Sequence, residues 1–224
     1  MEHTRSQARF ADRTQAGHEL AQALRRYAGR DDVIVLALPR GGVPVAVEVA
    51  RELSSPLDVF VVRKLGLPGQ PELAMGALAS GGLRVINDAL VQSAGVTADD
   101  IERVTDVEQR ELERRERLYR GDRPPLDVEG KTAILVDDGL ATGATMVAAV
   151  RALRAREPAR IVVAVPIAPS QTCEDLHDEA DEVVCTRTPE PFVAIGAWYD
   201  RFPQTSDREI RELLSRASGP DDGT

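Results

Sequence analysis

Three largely apolar segments, Val33 to Leu38, Thr132 to Val136 and Ile161 to Val165, each lead through a short loop into a helical pattern, and a further buried strand is read over Leu57 to Arg63. A run with no polar alternation suits a strand buried on both faces. Strands of that kind alternating with helices predict an α/β fold: a central parallel sheet flanked by helices. In such sheets ligands bind at the carboxyl ends of the strands, so the loops closing these runs are the first places to look for chemistry.

Around that frame the chain reads as one domain over residues 1–218. Asp12 and Gln15 have capping-box spacing, and Leu20, Leu24 and Tyr27 follow on one helical face. A second helix runs from Pro44 to about Leu53. An insert over 66–125 holds a loop from Gly66 to Pro71, a hairpin (Leu73 to Ser80 and Leu83 to Ile86, joined at Gly81-Gly82) and a charged helix from Thr97 to about Tyr119. The thin apolar stripe of that helix makes it a solvated element packed by one edge, or one lying against a partner. Ser206 with Glu209 caps a last helix, and 219–224 reads as a disordered tail.

Composition narrows the function classes. The 224 residues carry 28 basic against 37 acidic side chains, a formal net charge of −9, which speaks against nucleic acid or an anionic membrane as the partner. No run approaches the roughly 20 apolar residues of a membrane span, and the first ten residues do not read as a secretory signal. Cys173 and Cys185 read as small buried residues of a cytoplasmic protein in a reducing compartment. The three histidines have no metal-ligand spacing. Lysine occurs only at Lys64 and Lys131, so each draws notice; Lys131 reads as a surface turn residue.

The loop after Thr132–Val136 is the most specific feature. Asp137 and Asp138 are followed by the bend Gly139-Leu-Ala-Thr-Gly-Ala-Thr145 and then a helix. Backbone N–H groups at a helix start favour an anion. Thr142 and Thr145 add hydroxyl donors, and Gly143 permits close approach. Without a lysine the bend is not a triphosphate-binding P-loop and suits a monophosphate. The adjacent acids would repel that phosphate unless they face a sugar diol or a magnesium ion.

Val136-Asp-Asp-Gly-Leu-Ala-Thr-Gly-Ala-Thr145 resembles the phosphoribosyl-pyrophosphate (PRPP) motif of the type I phosphoribosyltransferases. The resemblance extends to the branch with a Pro-Arg-Gly-Gly start and an Arg-Lys-Leu-Gly second strand. It implies that Asp137 and Asp138 serve the ribose and a Mg2+ ion, and that Gly139, Ala141, Thr142, Gly143, Ala144 and Thr145 hold the 5-phosphate. It further implies that Arg40, Gly41, Gly42, Arg63 and Lys64 bind pyrophosphate. In this family the Pro39-Arg40 region often carries a non-proline cis peptide.

The resemblance also implies a C-terminal hood over about 187–205. There Phe192, Trp198 and Tyr199 are candidates to stack on an acceptor ring, and Gly196 and Asp200 match the spacing that brings an Asp near the metal in hypoxanthine-guanine enzymes. The competing reading makes Trp198 and Phe202 core packing. The implied activity is Mg2+-dependent transfer of phosphoribosyl from PRPP to a nitrogenous base with release of pyrophosphate, by a homodimer. The insert departs from the usual mobile lid. A non-catalytic PRPP- or nucleotide-binding regulatory module therefore stands as the alternative, with a phosphosugar hydrolase third. The adjacent acids do not match the Asp-x-Asp of haloacid-dehalogenase phosphatases.

Overall fold

The expected parallel sheet is present, and its topology explains why three loops converge. The computed structural model describes residues 8–121, 123–125 and 127–217; the expected tail lies outside them. Strands β1 (Val33–Ala37), β2 (Leu57–Val59), β6 (Thr132–Val136), β7 (Arg160–Ile167) and β8 (Glu182–Arg187) pair in parallel in the order β2-β1-β6-β7-β8. Every residue of β1 and β6 is buried. Alternate side chains serve opposite faces, as the pleat demands. Val33, Val35 and Ala37 join a core with helices α1 (Arg13–Ala23) and α2 (Gly42–Leu53). Ile34, Leu36 and Leu38 join another with α5 (Ala144–Arg154) and α6 (Ser170–Leu176). Each large aliphatic side chain so buried contributes about 1.5–3 kcal/mol before the entropy of ordering it is subtracted. No helix among the described residues is long and apolar enough to cross a membrane.

The run from Leu57 to Arg63 corrects the sequence reading. It is not one strand. The backbone N–H of Phe60 still donates to Ala37 O of the parallel sheet at 2.9 Å, whereas Val61 N donates to Ser80 Oγ at 2.9 Å. There the chain turns into a separate antiparallel sheet, β3 (Val62–Leu67), β4 (Gln70–Ala79) and β5 (Leu83–Ile86). The loop expected over Gly66 to Pro71 shrinks to a turn at Pro68-Gly69. The Gly81-Gly82 hairpin is present: Ser80, Gly81 and Gly82 connect the paired Ala79 and Leu83, and both glycines have positive φ (82° and 75°), a conformation that glycine adopts without steric cost.

After α3 (Asp88–Ala94), the long helix α4 (Ala98–Arg120) packs by one edge, with Leu112 and Tyr119 buried. Its last residue reaches deeper than a thin stripe implies. Arg120 is 9% exposed, with Nε 3.1 and 3.0 Å from the two Asp58 oxygens and Nη2 donating to Val59 O at 3.0 Å. The insert is thereby fastened to the edge strand of the parallel sheet. Helix α7 (Asp207–Ala217) packs against α2 and α4.

The cysteines supply a second correction. Cys173 and Cys185 form a disulfide rather than remaining small free side chains. Helix α6 follows β7 directly and β8 pairs with β7, so α6 packs beside β8 and the two Cα atoms stand 6.7 Å apart.

Candidate functional site

Because β1 and β6 are neighbours, the loops that follow them touch. The first is Pro39-Arg40-Gly41-Gly42, with a cis peptide between Pro39 and Arg40. A Cβ on Gly42 would lie 2.6 Å from Val136 O and 2.9 Å from Asp137 Cα. Glycine here is a packing requirement, because the two backbones meet with no room for a side chain.

Across that contact lie the two acids. Asp137 Oδ1 accepts from the Asp138 N–H at 2.8 Å. Asp138 is 7% exposed, and its Oδ2 accepts from Arg13 Nε at 2.8 Å. Burial raises both carboxyls above the ordinary aspartate range. The neighbouring Asp138 charge adds to the effect at Asp137, while Arg13 opposes it at Asp138. One arginine faces two acids, so full ionisation of the pair leaves more negative charge than Arg13 alone offsets. The Asp138 carbonyl accepts from Tyr199 OH at 2.6 Å.

The following bend remains open. Gly143, with φ at 70°, is the N-cap of α5 and brings no side chain to cap it; the nearest is Thr142, whose Oγ1 stands 3.5 Å from Ala144 N. Thr142, Ala144 and Thr145 are exposed. The bend is held from behind by Thr172, whose Oγ1 donates to Ala141 O at 2.9 Å. Gly139 packs where a Cβ would meet Ile195 and Ile167 side chains at 2.7 and 2.8 Å. An uncapped helix start behind exposed hydroxyls can accept an anion.

A crevice of about 430 Å³ opens between Arg13, Arg40, Gly41 and Asp138 on one side and Ile195 and the strap Phe202-Pro203-Gln204-Thr205 on the other. Arg40 is half-buried, its Nη1 4.0 Å from Asp207 Oδ1 at the start of α7. Lys64 is exposed and lines a neighbouring cleft of about 240 Å³, shared with Ala144 of the bend. Arg63 lies beside it on β3, and its Nε donates to Glu108 of α4 at 2.7 Å. Thus Arg40, Gly41 and Asp138 share one crevice, Lys64 adjoins the bend, and Arg63 is engaged by α4.

The hood differs from the expectation. Tyr199 is buried against Phe10 and Phe202, with ring centroids 5.3 and 4.9 Å apart, so it is not free to stack on a ligand. Phe192, Trp198 and Phe202 pack partly buried around the same cluster. Phe202 alone of these aromatics lines the crevice.

Arg13 was invisible to motif reasoning. A cation in the first turn of a helix, immediately after the N-cap Asp12, is locally unfavourable, and only the fold shows the partners that offset it.

The donor set bears on magnesium. Among the described residues no three His, Cys, Asp or Glu side chains are grouped to hold a metal, so Asp137, Asp138 and Asp200 do not form a joint ligand set. Asp200 is exposed. The acid pair offers hard oxygens, and a bound cation favours their charged form. The pair suits a Mg2+ ion that draws its remaining ligands from phosphate and water, the usual habit of that ion.

Comparison with known proteins agrees with this geometry. The family model described as phosphoribosyl transferase domain matches residues 7–197. Two Mycobacterium tuberculosis proteins, "Putative phosphoribosyl transferase MT0597" and "Putative phosphoribosyl transferase Rv0571c", are each 48% identical over 208 residues, 93% of this chain. The chain spans about half the length of these curated relatives, 47% of each. The crystal structure of TT1426 from Thermus thermophilus superposes with a TM-score of 0.84 at 42% identity, covering 93% of this chain and 98% of that one. Fold, matched span and full-length structural likeness agree: the chain belongs to the phosphoribosyl transferase family.

Proposed function

We propose that the protein transfers the 5-phosphoribosyl group of PRPP to a nitrogenous base and releases pyrophosphate, and that it belongs to the branch with a Pro-Arg-Gly-Gly loop. The observation that carries this reading is the acid pair standing between an open, uncapped helix start and the Arg40 loop. Those features suit the phosphate, the diol and the leaving group of one molecule.

In this reading Gly139, Ala141, Thr142, Gly143, Ala144 and Thr145 take the 5-phosphate through backbone N–H groups and the two hydroxyls. Asp137 and Asp138 accept from the ribose hydroxyls. Arg40, Gly41, Gly42 and Lys64 take the pyrophosphate, with Arg40 donating charge-assisted bonds to it. Arg63 orients this edge through Glu108. Asp137 and Asp138 would also hold a Mg2+ ion, which when bound supplies charge neutralisation for pyrophosphate.

The C1–O bond to pyrophosphate breaks with its electron pair as the base nitrogen bonds to C1, through a transition state with oxocarbenium character, and the proton of that nitrogen passes to the departing pyrophosphate or to water. The chain's contribution is positioning and stabilisation of the departing anion. The reading includes a homodimer in the cytoplasm.

A second reading, a non-catalytic PRPP- or nucleotide-binding module, is favoured by one observation. Apart from Asp138, already paired with Arg13, the crevice lining offers no side chain suited to take a proton from the acceptor. Incubation with PRPP, Mg2+ and a panel of purine and pyrimidine bases separates the two. Base-dependent pyrophosphate release supports transfer. A melting shift with no release supports the binding module. Orthophosphate release points to a hydrolase and contradicts both.

A further inference from the structure

Arg13 is 8% exposed, and burial of a cation persists only where partners replace water. It has three. Nε donates to Asp138 Oδ2 at 2.8 Å, Nη1 donates to Pro203 O at 2.8 Å, and the guanidinium lies 3.8 Å from the centroid of the Phe202 ring. The two hydrogen-bonded partners are 125 and 190 residues away in sequence, so nothing about the helix itself demands them. Asp138 Oδ1 accepts from no other described residue, and Asp138 lines the crevice.

We propose that Arg13 is a positioning residue of the ligand site. By occupying Oδ2 and bracing the Phe202-Pro203 strap, it leaves Oδ1 of Asp138 as the one oxygen presented to a sugar hydroxyl. The inference rests on the phosphoribosyl reading. A planar guanidinium serves two acceptors at its edge while its face lies on the ring. An ammonium group cannot do both, so lysine is not a conservative replacement here.

The test is sugar-hydroxyl discrimination, which a merely structural arginine would not set. Dissociation constants for ribose 5-phosphate and its 2-deoxy and 3-deoxy analogues are measured by calorimetry on the wild type, Arg13→Lys and Arg13→Gln, with melting curves alongside. The wild type is expected to disfavour at least one deoxy analogue by roughly tenfold, the size of one hydrogen bond to a charged group. Both variants are expected to compress that ratio to about threefold or less while still binding the phosphate.

Variants that melt earlier yet keep the full ratio overturn the proposal. A wild type that binds ribose 5-phosphate no better than either analogue, or not at all, overturns the phosphoribosyl reading itself. If neither variant folds, Phe202→Leu removes the ring and keeps the ion pair. A partial loss of the ratio then supports the bracing role, and an unchanged ratio contradicts it.

Discussion

Gly41 rests directly on the carboxylate of Asp138: a Cβ at Gly41 would stand 2.6 Å from Asp138 Cγ and closer still to Oδ2. The loop after β1 and the acid after β6 are therefore one unit, and the missing side chain lets them be so. Gly41→Ala is expected to push the loop off the acid. We expect a loss of stability of about 1–3 kcal/mol from overpacking, and weaker PRPP binding than that loss explains. Denaturant unfolding and a PRPP titration on the same samples check it. Unchanged binding would separate the loop from the site.

Asp137 is held against its solvation preference. Burial and the charge of Asp138 raise its folded pKa, so it favours the folded state fully only below the unfolded value of about 3.9. That contribution is lost as pH rises through the raised folded pKa. Asp137→Asn keeps the acceptor for Asp138 N–H and removes the charge. Without ligand, the variant is expected to match the wild type near pH 4 and below, and to exceed it by roughly 0.5–2 kcal/mol at neutral pH, as for other sites that trade stability for function. Melting temperature against pH tests this; a variant less stable at neutral pH would contradict it.

Arg120 and Asp58 join the insert to the sheet. Removing one member of a buried ion pair typically costs about 3–5 kcal/mol, because the remaining charge stays desolvated without its main counter-charge. Arg120→Met is expected to fall in that range by urea unfolding. A loss under about 1 kcal/mol would mean that the pair behaves as a surface contact.

The disulfide closes a loop with a sequence separation of 12 residues, for which chain entropy gives about 3 kcal/mol. Reduction, or Cys173→Ser with Cys185→Ser, is expected to lower stability by that order. The adjacent Thr172 holds the bend at Ala141, so phosphate binding is expected to weaken too. Thiol labelling of the native protein reports whether the bond is present. Two readily labelled thiols with no change in melting on reduction would contradict this account.

The parallel sheet was legible because its central strands β1, β6 and β7 are largely apolar runs, and the Asp137–Thr145 bend because its chemistry is compressed into nine consecutive residues. The break at Phe60-Val61 was not, since both residues are apolar and suit either sheet. Arg13 escaped, and Tyr199 was read as a stacking ring rather than a buried one, because their partners lie 125 and 61 positions away, which no local spacing encodes. The Cys173–Cys185 bond escaped for a similar reason: α6 and β8 are brought together by their common neighbour β7.

The central claim is that Asp137 to Thr145 grip a phosphorylated ribose. Calorimetric titration of PRPP in the presence of Mg2+ into the wild type and Asp138→Asn tests it most directly. Saturable one-site binding by the wild type and a loss of roughly tenfold or more in the variant are expected. Equal affinity in the two proteins, or no binding by either, would contradict it.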